Sequence, residues 1–140
     1  MTRLALATLR DIVKRFPDSP FARDARIKLE LTQDHLAGKE MEIGRYYMRR
    51  REYLAAINRF KFVIEKYQTT RHVPEALHRV TESYLALGIT DEAQMATAVL
   101  GYNYPGSSWY EDSYALLDQR SLSPQRKESS WLSWLWTWAN

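Results

Sequence analysis

The sequence predicts an all-α protein, a right-handed tetratricopeptide-repeat solenoid of antiparallel helix pairs with one elongated helix. Three observations lead there. Apolar residues recur at the three-four spacing of a buried helical stripe, and two-residue alternation is nearly absent. The five prolines and five glycines mostly fall between those stripes, where they break helices, although Gly38 and Gly44 lie within one. Small and aromatic residues also recur at fixed intervals, as in stacked helix hairpins. A chain of 140 residues, 45% hydrophobic, fits one domain and buries a core without covalent staples.

The first stripe, Leu4, Leu6, Leu9, Ile12, Val13 and Phe16, stops at Pro17, which cannot donate the helical hydrogen bond. It begins with no strong cap other than Thr2, so the chain is expected to start partway through a larger architecture. Ser19-Pro20 supplies a capping hydroxyl and a first-turn proline. Phe21 to Arg51 contains no proline, only Gly38 and Gly44, and predicts one helix over about 20–51. The alternative is two shorter helices hinged at Ala37-Gly38-Lys39. Leu54, Ile57, Phe60, Val63, Ile64 and Tyr67 define its partner over 53–67. Pro74 opens the next helix, which closes at Gly88, and Thr90 or Asp91 is expected to cap the one after, weakened at Gly101 and ended by Pro105-Gly106. Ser108 and Glu111 read as a capping box for a final helix over 108–118. Residues 119–130 form a polar linker, and the tail 131–140 holds four of the five tryptophans.

Gly44, Tyr47, Ala56 and Phe60, then Tyr84, Gly88, Ala93 and Pro105, occupy tetratricopeptide slots, and Ala5 and Pro17 repeat one of the intervals. This gives a partial repeat over 1–17, a full one over 20–67 and a second over 74–104. Ala56 to Ala93 is 37 residues, near the repeat length of about 34, whereas Ala5 to Ala56 is 51. The surplus is assigned to the long helix as a protruding rod of roughly five extra turns.

Composition excludes several functions. There is no cysteine, hence no thiol nucleophile or cysteine-bound metal, although this says nothing of compartment. A net charge of +3, with acidic and basic residues interspersed along the chain, argues against a nucleic-acid binder. No run is long enough for a membrane span, and the N-terminus lacks the apolar core of an export signal. His35, His72 and His78 make no metal-binding pair, and neither a nucleophile elbow nor a phosphate loop is present. Neither enzyme activity nor a cofactor is expected.

Binding is therefore assigned to helix faces. The repeat frame places Met41, Arg45, Met48 and Arg49 on the concave face beside His78, Glu82 and Leu85. Adaptable methionines flanked by arginines suit a peptide or an acidic surface; the plainer reading is a solvated helix face. His78 itself is expected to be solvated. The run Arg49-Arg50-Arg51 spreads over about 200° and suits a helix C-terminus better than a single patch. Asn58 and Arg59 point away from the core stripe. In the tail, a helix would align Trp131, Trp134, Leu135 and Trp138, a strand Trp134, Trp136 and Trp138. The helix is preferred, either capping the last repeat or touching membrane or a partner subunit; disorder is the remaining option.

The runs RFPDSPFARDARIKL, DHLAGKEMEIGRYYMRRREYLAAINRF, PEALHRVTESYLALG and GYNYPGSSWYEDSYALL occur in order, with the pair Tyr46-Tyr47 and the NYPGS turn among them. Over residues 3 to about 117 the chain resembles the BamD (ComL-like) family of outer-membrane assembly lipoproteins. The resemblance implies a tetratricopeptide solenoid anchored by lipid at the periplasmic face of the outer membrane, a non-enzymatic subunit of the machine that inserts β-barrels. Only the C-terminal half of that family is matched, and this chain has no lipid-bearing cysteine. The implied partners of that half are the barrel subunit BamA and the smaller lipoproteins, while substrate tails are ascribed to the other half. The resemblance places Asn58 and Arg59 where BamA is met through a salt bridge, with Arg45 as the next candidate. A repeat adaptor of another envelope complex, linked to cell division or peptidoglycan synthesis, is the alternative.

Overall fold

The computed structural model describes the backbone of residues 3–138 and the side chains of residues 3–136. Its helices are α1 (Arg3–Arg15), α2 (Pro20–Arg49), α3 (Tyr53–Lys66), α4 (Val73–Ala86), α5 (Thr90–Asn103), α6 (Ser108–Asp118) and α7 (Ser133–Trp138), with no strand among the described residues. Consecutive helices from α1 to α6 pack on one another, and α4 also packs on α6. This is the nearest-neighbour stacking of a solenoid.

The same turn is built three times. Phe16, Tyr67 and Tyr104 each end a helical stretch, and the carbonyl of each accepts the backbone N–H three residues on, from Ser19, Thr70 and Ser107, at 3.2, 3.1 and 3.0 Å. The hydroxyl of Ser19 also donates to Phe16 and that of Thr70 to Tyr67. Nine residues after each aromatic stands a small buried residue, Ala25, Ala76 or Ser113, which lets the next helix approach closely. The extra residues between the first two turns lie in α2, whose 30 residues run unbroken through Gly38 for about 45 Å. Ser19 caps it by accepting from Ala22 at 3.0 Å.

Two glycines are explained by close approach. A Cβ on Gly44 would lie 2.5 Å from Cε1 of the fully buried Phe60, so α2 and α3 meet at this point only because no side chain intervenes. A Cβ on Gly101 would strike the ring of Tyr110, and the supposed weak end of α5 is thus the seat of α6. Around these contacts Met41, Phe60, Ile64, Leu77, Met95, Leu100 and Leu117 are wholly buried.

Several expectations need correction. Met41 belongs to the core and not to a groove wall, and Leu85 is buried too. Leu54 and Ile27 are exposed instead, since an apolar stripe is wider than the strip its neighbours cover. The cap of α6 is Ser107, accepting from Trp109 at 3.1 Å, which makes Ser108 the first helical residue. Ile89 precedes α5 without a side-chain cap, so neither Thr90 nor Asp91 plays that role.

Residues 119–130 are a strap rather than a free linker. Gln94 donates to the carbonyl of Ser123 at 3.0 Å and accepts the N–H of Gln125 at 3.3 Å on its own carbonyl, and the N–H of Lys127 points at the sulfur of Met95. The strap delivers the tail to α5. Ser130 donates to Glu92, and the indole of Trp131 donates to the Tyr84 hydroxyl at 2.9 Å beneath the ammonium of Lys61. Leu132 and Leu135 enter the core, while Trp136 stacks on Tyr102 at 4.4 Å. The helix begins at Ser133, so Trp131 precedes it. Leu135 faces inward and is not available to a membrane while the tail is docked; the Trp138 side chain lies outside the described residues.

Candidate protein-interaction surfaces

The inner face of the repeat frame, formed by α2, α4 and α6, carries a continuous polar ladder. Glu75 on the first turn of α4 takes Arg45 of α2 at 3.0 and 3.2 Å and Arg79, one turn further along, at 3.1 Å. Arg79 then donates to Glu82 at 2.7 Å, and Glu82 lies 3.0 Å from Nε2 of His78. The other ring nitrogen, Nδ1, is 2.7 Å from the Ser113 hydroxyl on α6. Trp109 closes the ladder, with Arg79 over its ring at 5.3 Å and His78 beside it at 5.2 Å.

Helical periodicity builds the central part. Residues three and four apart on α4 share a face, and Glu75, His78, Arg79 and Glu82 obey that spacing. Burial opposes the charge on Glu82, but hydrogen bonds from His78 and Arg79 outweigh it and hold its carboxyl below the ordinary range. For Arg79 burial likewise opposes charge, and the bonds to Glu82 and Glu75 carry it above its usual value.

His78 is therefore not solvated but 5% exposed and bonded at both nitrogens. Arg45 is tied to Glu75, while Arg49 is exposed and forms no ion pair among the described residues. Met48 is half-buried against the core. Arg45, Met48, Arg49 and Arg79 together line a groove of about 260 Å³. Glu75 and Arg79 are not among the residues expected from the sequence, although the four- and three-residue steps from Glu75 through Arg79 to Glu82 are legible there; Trp109 and Ser113 join only through the stacking of α6 on α4.

A second groove, of about 440 Å³, lies between α1, α2 and α3 and is lined by Arg3, Glu40, Tyr47, Asn58, Arg59 and Phe62. Asn58 is exposed, and Arg59 keeps 42% of its side chain in solvent while donating to Glu40 at 3.2 Å. Glu40 is 19 residues from Arg59 in sequence, a separation no local pattern bridges. Among the described residues no cluster of acidic or histidine side chains could hold a metal ion, and no helix is long and apolar enough to cross a membrane.

Stacked helix hairpins with repeat-register glycines define the class of protein, a tetratricopeptide-like helical solenoid. More narrowly, the chain belongs to the YfiO outer membrane lipoprotein family, whose sequence model matches residues 1–100. It is 54% identical over 123 residues to outer membrane protein assembly factor BamD of Caulobacter vibrioides, covering 88% of this chain and 40% of that protein. It is 51% identical over 116 residues to the BamD of Rickettsia prowazekii, covering 83% and 46%, and 40% identical over 105 residues to that of Neisseria meningitidis, covering 75% and 39%. The chain thus spans less than half the length of these relatives.

Proposed function

We propose that this chain is a non-enzymatic scaffold of the outer membrane β-barrel assembly complex, associated with the periplasmic face of the outer membrane. In this reading the groove beside Asn58 and Arg59 docks the periplasmic part of a BamA-like barrel subunit, and other helix faces receive the smaller lipoproteins. Its relatives are named as assembly factors for outer membrane proteins, which supports the general role.

The observation that carries the docking site is the state of Arg59. Its guanidinium is positioned by one hydrogen bond to Glu40 at the mouth of an open groove, leaving other donors for a partner carboxylate. An arginine fixed in this way loses less freedom on binding than a solvated one. Retention of a purified BamA-like periplasmic domain on the immobilised chain tests the reading: wild type retains it, and Arg59→Ala retains far less.

A further inference from the structure

The ladder on the inner face leaves three guanidinium groups around one groove, and their bonding is incomplete. Arg45 reaches Glu75 through Nη1 alone, and Arg79 uses Nε and Nη1. Nε and Nη2 of Arg45, Nη2 of Arg79 and the whole of Arg49 have no partner among the described residues. Glu75 and Glu82 hold two of these groups in place while Trp109 backs the second. The donors are therefore set before any ligand arrives, which lowers the ordering cost of binding.

We infer that the groove of Arg45, Met48, Arg49 and Arg79 binds an extended segment of a partner protein that presents an Asp or Glu side chain next to an apolar one. The inference rests on the reading of the chain as a scaffold but concerns a face other than the Arg59 groove. Charge selects the ligand. Three arginines against Glu75 and Glu82 leave one net positive charge, enough for one carboxylate and too little for a doubly charged phosphate. Arginine edges receive the two oxygens of a carboxylate in parallel. Met48, half-buried at the groove, offers an adaptable thioether to the neighbouring apolar side chain. The cavity of about 260 Å³ is open to solvent along the helix face, which suits a passing segment of chain.

The test uses the full chain and a fluorescein-labelled octapeptide of alternating Glu and Leu, acetylated and amidated so that only side chains supply carboxylates. Anisotropy gives the affinity, and a Gln-Leu peptide is the control. Arg49→Glu is the informative variant, because Arg49 is exposed and forms no ion pair among the described residues; an unchanged helical circular dichroism spectrum at the assay temperature verifies its fold. The Glu peptide is expected to bind wild type and Arg59→Ala alike, to weaken about ten-fold or more in Arg49→Glu, and to resist displacement by equimolar inorganic phosphate. Equal binding of the Glu and Gln peptides, or wild-type affinity in Arg49→Glu, overturns the inference. Barrel-subunit retention measured on the same variants separates the two ideas, since Arg59→Ala addresses only the docking reading and Arg49→Glu only this groove.

Discussion

Nδ1 of His78 and the hydroxyl of Ser113 lie 2.7 Å apart in a buried contact that fastens α6 to α4. Nε2 faces the Glu82 carboxylate, which accepts only, so it carries the proton in the neutral ring and Nδ1 accepts from Ser113. The three residues fix one tautomer. Ser113→Ala removes the partner of Nδ1 and is expected to destabilise the fold by about 1–3 kcal/mol, read as a lowered urea midpoint. An unchanged midpoint would show that the bond is not formed in solution.

Glu82 makes stability depend on acid. Its folded-state pKa is held below the ordinary carboxylate value, so the stabilisation is complete above about pH 4.3 and is lost as the pH falls through the depressed value. Glu82→Gln is expected to melt below wild type at pH 7, and the gap should close on acidification below about pH 4. A gap that stays constant down to pH 3 would contradict the arrangement.

Gly44→Ala places a methyl group within 2.5 Å of the ring of the fully buried Phe60, so one of the two must shift within the core. Overpacking of this kind costs about 1–3 kcal/mol, more than the helix propensity gained. Phe60→Leu in the Gly44→Ala background should recover part of the loss, and thermal melts of the two single variants and the double variant measure the coupling.

The tail is expected to behave as part of the fold. Leu132→Asp puts a charge where a wholly buried leucine now sits, so it should release the tail and the strap. Limited trypsinolysis reports this as faster cleavage after Arg126 and Lys127, with cuts in α3 to α5 little changed. Equal cleavage rates would mean that the tail is already loose in wild type.

The helices were legible because their periodicity and punctuation are local. Pro17, Pro74, Pro105 and Gly88 mark boundaries through their own backbone chemistry, and the 37-residue interval from Ala56 to Ala93 gives the stacking. The interaction faces were less legible. Met41 looked like a groove residue until the approach of α2 to α3 at Gly44 turned it inward. His78 looked solvated because Ser113 and Trp109 are 35 and 31 residues away, and only the docking of α6 brings them to it. The strap was hidden for a similar reason: a polar run reads as a linker unless the partner of its backbone, here Gln94, is known. Arg59 was readable as an outward arginine, but not its positioning by Glu40.

The affinity of the chain for the periplasmic domain of a BamA-like barrel subunit tests the scaffold account most directly. Calorimetric titration of wild type and Arg59→Ala should give saturable binding to wild type and a loss of about 2–5 kcal/mol in the variant, most of it from a partner carboxylate left unpaired. Failure of wild type to bind, or equal affinity in the two proteins, would contradict it.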